Sequence, residues 1–223
     1  AAGVAHEINN PLEIIYNYLT TLRALAQGHD TLETISKLGE EIAYIAAIVN
    51  NLVNLGDNDR LADEEIDLTD TISRILGLLR QSAKARRIQM DFTPGEDELR
   101  AMVNANEVKQ VILNLIKNSF EAMPEGGVIT VSTALQVEGG VPMAIVRVED
   151  QGPGITAEKM GDIFLPFYTT KKSSGANMGL GLSVSYAILE RYGGKLSAEN
   201  LPSGGCGFTM TLPLTRKAVD SLV

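Results

Sequence analysis

Asp150-Gln151-Gly152-Pro153-Gly154 directly follows Ile145-Val146-Arg147-Val148, a run of β-branched character. Glycines at alternate positions let the backbone turn sharply and let a ligand come close. An aspartate at the end of a strand can accept from an exocyclic amine such as that of adenine. A plain tight turn accounts for the same five residues. Gly179-Leu180-Gly181-Leu182-Ser183 reads as the start of a helix. Glycines there leave backbone N–H groups bare, and the helix dipole favours negative charge at that end, which together make a phosphate cradle. A hinge or a packing contact is the alternative. The stretch is neither a Walker A loop nor a strand-G-x-G-x-x-G dinucleotide turn. The third constellation is Asn114-Leu115-Ile116-Lys117-Asn118, in which Asn114 and Asn118, four apart, share one helical face with Lys117 beside them. Two carboxamide oxygens, joined by phosphate oxygens and water, suit a Mg²⁺ that keeps most of its hydration. The same amides can instead bond the backbone.

The fourth candidate is His6, with Glu7 next to it. At about 100° per residue, His6, Asn10, Glu13 and Asn17 lie on one stripe of a helix, away from the apolar positions Ile8, Leu12 and Ile15. Neutral imidazole has one nucleophilic nitrogen and one N–H. Glu7 can accept from that N–H, fix the tautomer and take up positive charge as the other nitrogen attacks. Pro11 cannot donate to the carbonyl of Glu7 and its ring crowds that turn, so a bend is expected just after His6.

The elements that must hold these groups differ between the two ends of the chain. Ile8, Leu12, Ile15, Leu19, Leu22 and Ala26 are spaced 4, 3, 4, 3, 4, and Ile35, Leu38, Ile42, Ile45, Val49 and Leu52 are spaced 3, 4, 3, 4, 3. Both are heptad seams. The turn cluster Gln27-Gly28-His29-Asp30 between them predicts an antiparallel helical hairpin over residues 1–56. Two helices enclose no core, so two chains are expected to pair into a four-helix bundle. Residues 57–65 read as a linker, and residues 66–223 as a two-layer α/β sandwich with a mixed sheet. There helices are expected over 69–82, 106–123 and 180–192. Strands are expected over 87–93, 99–103, 128–137, 143–149, 195–201 and 207–214, with a long loop over 150–178. Asp67 to Asp70 supply the start of the first of these helices, and Gly193-Gly194 end the last.

Composition narrows the classes. The chain has 223 residues, 44% hydrophobic and 21% charged, which is globular. Nineteen Lys and Arg against 28 Asp and Glu give a net charge of −9. That argues against a nucleic-acid binder, which wants a basic face. Cys206 is the one cysteine, and only His6 and His29 are histidines. Neither an internal disulfide nor a zinc site is expected, and a reducing compartment fits. No stretch approaches 18 apolar residues, and neither a signal peptide nor membrane contact is expected of this segment. The chain opens on Ala1-Ala2-Gly3 without Met. A longer parent, itself free to be membrane-anchored, is the expectation, with this segment cytoplasmic.

The order of the constellations, with Phe164-Leu165-Pro166-Phe167-Tyr168-Thr169-Thr170-Lys171 between the two glycine motifs, resembles the catalytic ATP-binding domain of sensor histidine kinases. Gyrase, Hsp90 and MutL ATPases are its wider relatives. These stretches correspond to that family's N, G1, F and G2 boxes. Ala5-His6-Glu7-Ile8-Asn9-Asn10-Pro11-Leu12 resembles its H box. The resemblance implies ATP and Mg²⁺ as cofactors. It implies that Asn118, helped by Asn114, holds the metal, that Asp150 recognises the adenine amine, and that Gly152 and Gly154 wall the base. Residues 155–178 would form a lid carrying Thr170 and Lys171, with Lys171 reaching the terminal phosphates. Gly179 and Gly181 would admit the phosphates to the helix start. Lys117 and Lys171 are the candidates to offset charge on the transferring phosphoryl.

The implied activity is autophosphorylation of His6, then transfer to an aspartate of a response-regulator receiver domain. Glu7 and Asn10 also resemble the E-x-x-N pattern for dephosphorylating that partner. Ala122 stands where some members place an aromatic residue to stack on adenine. The alternatives are a nucleotide-binding scaffold, an ATP-hydrolysing machine of the Hsp90 and gyrase type, and an anti-sigma serine kinase. The hydrolysing relatives place a water-activating Glu where Asn114 stands. The serine kinases lack a hairpin bearing a histidine.

Overall fold

The computed structural model describes residues 62–166, 168 and 179–215, and with them Ile15, Tyr18, Leu19, Leu22 and Leu38. The chain divides into two compact units. One comprises Ala1–Arg60 and Ile163–Val184, the other Leu61–Asp162 and Ser185–Val223.

The second unit runs β1 (Glu64–Asp67), α1 (Leu68–Ala85), β2 (Ile88–Thr93), β3 (Arg100–Val103), α2 (Ala105–Ala122), β4 (Gly127–Glu138), β5 (Val141–Asp150) and α3 (Ala157–Met160). After the segment assigned to the first unit come the body of α4 (Gly181–Arg191), β6 (Lys195–Asn200) and β7 (Cys206–Pro213). Five strands form one sheet in the order β2-β4-β5-β7-β6. β2 pairs with β4 in parallel and every other pair is antiparallel, which is the mixed sheet expected. β1 and β3 make a separate antiparallel pair.

The helices form where the sequence supplies a cap and an apolar stripe. Asp67 caps α1, its Oδ1 accepting from the Asp70 N–H at 3.1 Å, while Thr71 Oγ1 donates to the Asp67 carbonyl at 2.7 Å. Asn104 caps α2 by accepting from the Asn106 N–H at 2.9 Å. Such a cap is worth about 1 kcal/mol. α1 buries Leu68, Ile72, Ile75, Leu76 and Ala83. α2 buries Val108, Val111, Ile112, Leu115, Ile116 and Ser119. α4 ends as expected: Gly193, at φ 71°, donates to Glu190 O, and the Gly194 N–H bonds to Leu189 O.

Strand alternation sorts the sheet into a dry face and a wet one. Ile129, Val131 and Thr133 of β4 are buried, as are Ala144, Val146, Val148 and Asp150 of β5 and Phe208, Met210 and Leu212 of β7. The register sets Val148 opposite both Val131 and Phe208. Each such aliphatic or aromatic burial contributes about 1.5–3 kcal/mol. Arg147 and Glu149 lie on the wet face, where the guanidinium pairs with Glu149 at 2.7 Å and with Glu199. Asp150 continues the inward series 144, 146, 148, so the pleat delivers a carboxylate to the dry, helix-covered side at the sheet's end.

Three features differ from the sequence reading. A strand forms at Glu64–Asp67, beginning inside the stretch read as linker, because its partner Arg100–Val103 is brought alongside by the intervening helix and strand. The loop read over 150–178 contains a short helix, Ala157–Met160. Element ends shift by a few residues where caps and turns set them.

In the first unit Ile15, Tyr18, Leu19, Leu22 and Leu38 are helical. Leu19 is buried, whereas Ile15, Leu22 and Leu38 are 47%, 53% and 48% exposed in the single chain. The hairpin turn, the bend after His6 and the bundle pairing lie outside the described residues. Among the described residues no helix is long and apolar enough to cross a membrane.

Candidate functional site

The polar residues of the second unit converge where β5 ends against α2. Asp150 is 3% exposed. Its Oδ2 accepts from Ser119 Oγ at 3.0 Å, and its Oδ1 accepts from the Gly152 N–H at 2.9 Å and the Cys206 N–H at 3.3 Å. A carboxylate offers about four lone-pair positions, two on each oxygen. Among the described residues three of these are taken, which leaves one position on Oδ2. Ser119, fully buried, comes from the apolar stripe of α2, one turn after Leu115.

The glycine loop is held tightly at this point. A side chain at Gly152 would come within 2.9 Å of Asp150 Oδ1 and 3.0 Å of Ala122 Cβ. Ala122, the position lacking an aromatic ring, is thus the surface on which the loop packs. Gly154, at φ 74°, has no room for a Cβ, because Asn200 Oδ1 lies 2.7 Å from where it would sit. Gly205, at φ 92°, abuts the Asp150 carbonyl so closely that any side chain would displace it. The absent side chains therefore serve the interlocking of this loop with the β6–β7 turn.

On α2, Asn114 Nδ2 donates to the buried Ser185 Oγ at 3.1 Å, which sets the orientation of that carboxamide. Asn118, one turn later and half-buried, makes no side-chain hydrogen bond among the described residues. A carboxamide oxygen with no donor among the described residues suits a hard cation whose other ligands are phosphate oxygens and water, so the donor set fits Mg²⁺. Among the described residues no group of three His, Cys, Asp or Glu side chains gathers to bind a metal. Lys117 is exposed, with its Nζ 3.9 Å from Glu121 Oε1. At the other end of α2 the Tyr192 hydroxyl accepts from the Asn104 N–H at 3.1 Å and lies 2.7 Å from Glu107 Oε2 and 2.9 Å from Asp63 Oδ1. Burial, then the Asp63 hydrogen bond, pushes that phenol up from its ordinary value. Burial, aided by the Asp150 charge, pushes the Cys206 thiol up to about 12. Cys206 is therefore a protonated thiol at neutral pH and no nucleophile.

In the first unit Gly179 adopts φ 66° and Gly181 begins α4. The Leu180 carbonyl accepts from the Val184 N–H at 3.0 Å and from Ser183 Oγ at 3.0 Å, closing the first turn. His6, Glu7, Asn10, Thr170 and Lys171 lie outside the described residues. The structure brings Asn114, Asn118, Asp150, Gly152 and Gly154 into one unit. The sequence reading missed Ser119, Ser185, Asn200 and the Cys206 N–H. A hydroxyl interrupting the apolar stripe of α2 was the one local signal, at Ser119.

A family model described as the His Kinase A (phospho-acceptor) domain matches residues 1–61. One described as histidine kinase-, DNA gyrase B-, and HSP90-like ATPase matches residues 103–216. The sensor histidine kinase ZraS of Salmonella typhi is 33% identical over 224 residues, spanning 99% of this chain and 46% of its own length. Sporulation kinase E of Bacillus subtilis is 31% identical over 220 residues, spanning 99% of this chain and 29% of its own. This chain thus spans about half of the former relative's length, and less of the latter's. Among solved structures, a nucleotide-free catalytic domain of histidine kinase ThkA is similar at TM-score 0.61 and 30% identity, covering 71% of this chain and 99% of that one. ThkA in complex with the response regulator protein TrrA is similar at TM-score 0.60 and 29% identity, covering 97% and 61%.

Proposed function

The chain belongs to the sensor histidine kinases, and on that premise we propose that it transfers the γ-phosphoryl of ATP to His6 and then to an aspartate of a response-regulator receiver domain. The observation that carries the nucleotide half is the single lone-pair position left on buried Asp150. It calls for one N–H donor, which the adenine amine supplies. Guanine sets a carbonyl oxygen at the corresponding place, lone pair against lone pair. Gly152 and Gly154 hold the loop beside that position. Asn118, helped by Asn114, would hold Mg²⁺ through its carboxamide oxygen, and the ion when bound offsets phosphate charge. Gly179 and Gly181 serve the phosphates at the start of α4, and Lys117, Thr170 and Lys171 are the remaining polar groups assigned to the nucleotide.

At the acceptor, Glu7 accepts the imidazole N–H. The opposite ring nitrogen bonds to the γ-phosphorus as the bond to the ADP oxygen breaks, and Glu7 offsets the positive charge that develops on the ring. Asn114 supports transfer to histidine over hydrolysis, since its amide, committed to Ser185, is a poor base for activating water. The half-exposed seam residues Ile15, Leu22 and Leu38 support a homodimer in which a partner hairpin covers them. The domains are then 1–56 for dimerisation and phosphoacceptance, 57–65 for linkage and 66–223 for nucleotide binding.

The test is competition against a fluorescent adenine nucleotide in Mg²⁺. ATP and ADP should displace the probe, and GTP should do so at least tenfold less well, about 1.4 kcal/mol. Equal displacement by GTP would contradict the assignment of Asp150. Glu7 and Asn10 support a second activity, dephosphorylation of the regulator, with the Asn10 amide orienting water. Asn10→Ala should slow loss of label from a purified phosphorylated regulator about tenfold or more, while leaving His6 labelling intact. Dephosphorylation at the wild-type rate would remove this second activity.

A further inference from the structure

Asn200, the last residue of β6, acts like a piece of an extra strand. Its Oδ1 accepts from the Ile155 N–H at 2.8 Å and its Nδ2 donates to the Ile155 carbonyl at 2.6 Å. Both backbone groups of a loop residue are thereby satisfied by one side chain from 45 residues away. Asn200 is also paired with Cys206 in the last rung of the β6–β7 ladder. Across that rung, Cys206 N–H donates to Asp150 Oδ1. One rung therefore grips both ends of the loop, Asp150 by the backbone of Cys206 and Ile155 by the side chain of Asn200. Gly154, which has no side chain to obstruct it, lies against the Asn200 oxygen.

We infer that Asn200 is a positioning residue for nucleotide binding: its carboxamide fixes the loop 151–155 in the shape that receives the base, without touching the base itself. The inference rests on the assignment of Asp150 and its loop to the nucleotide. A loop that must be ordered at the moment of binding charges that ordering against affinity, and a preset loop does not. Ile155 opens the connection to α3, and no element of regular structure intervenes between it and Asp150. The side-chain clasp is what replaces ladder pairing there.

The experiment measures Asn200→Ala and Asn200→Asp against the wild-type chain in three ways: KM and kcat of ATP-dependent labelling, amide hydrogen exchange at Ile155, and the melting temperature. For Asn200→Ala, KM for ATP should rise about tenfold with kcat within about twofold, since two hydrogen bonds are lost from the free loop and none from the reacting atoms. Exchange at Ile155 should quicken about tenfold, with little change at core amides and in melting temperature. Asn200→Asp keeps the acceptor for the Ile155 N–H and loses the donor to its carbonyl. Its second oxygen meets that carbonyl lone pair against lone pair, so Asn200→Asp should also raise KM and quicken exchange at Ile155, and it gives the answer if the alanine variant does not fold. Wild-type KM together with wild-type exchange in these variants would overturn the inference while leaving the nucleotide assignment standing. A fall in kcat and melting temperature in step with the rise in KM would also overturn it, because that is general damage. Failure of the wild-type chain to bind any adenine nucleotide would overturn the assignment and the inference together.

Discussion

Asp150→Asn should fold and yet bind ATP about 100-fold more weakly, a loss of about 2.8 kcal/mol. The two halves of this expectation follow from the same hydrogen bonds. Asp150 Oδ1 accepts two backbone N–H groups, from Gly152 and Cys206, whose direction is fixed. Its Oδ2 accepts from Ser119, whose hydroxyl can rotate. An asparagine therefore keeps its carbonyl toward the two N–H groups and turns its NH₂ toward Ser119, which switches from donor to acceptor. The buried Ser119 proton must then find a new acceptor, so stability should fall by about 1–3 kcal/mol. The position aimed at the ligand, however, changes from a lone pair to an N–H. An adenine amine then meets a donor where it needs an acceptor. Isothermal titration with ATP alongside thermal unfolding separates the two effects. Unchanged affinity would show that the ligand does not meet this carboxylate.

His6→Gln should abolish acid-labile, base-stable label from ATP while leaving nucleotide affinity at the wild-type value. Glutamine is polar like histidine, but an amide nitrogen has no lone pair to offer phosphorus. Loss of the nucleophile removes the reaction, so the rate should fall by at least about 10³-fold, more than about 4 kcal/mol. Retained affinity matters as much as lost label, since the variant lies in residues assigned to phosphoacceptance and not to the pocket. Label that persists and is acid-stable would point to a serine or threonine acceptor.

Much of the second unit could be read from local pattern. Ile72, Ile75 and Leu76 announce one face of α1, and Asp67 announces its cap. The stripe from Val108 to Ile116 does the same for α2, and Gly193-Gly194 mark the end of α4. Each is a relation among residues a few positions apart. The interlocking of the site is of another kind. Ser119 meets Asp150 across 31 residues, Cys206 meets it across 56, and Asn200 meets Ile155 across 45. No periodicity reports on such pairs, because they depend on where strands end relative to one another. The glycines illustrate the point. Gly154 reads as a ligand wall in sequence, and in the structure its missing side chain makes room for Asn200. β1 was invisible for a similar reason: Glu64-Glu65-Ile66-Asp67 has the composition of a loop and becomes a strand through its register with Arg100–Val103.

The central proposal is that phosphate moves from a nucleotide held by Asp150 and Asn118 to the imidazole of His6. The most direct measurement incubates the chain with Mg²⁺ and γ-labelled ATP, digests it at alkaline pH and locates the label by peptide mass spectrometry. The label should sit on the peptide containing His6 and nowhere else. Label on a hydroxyl residue, or release of inorganic phosphate from ATP with the histidine peptide unmodified, would contradict it.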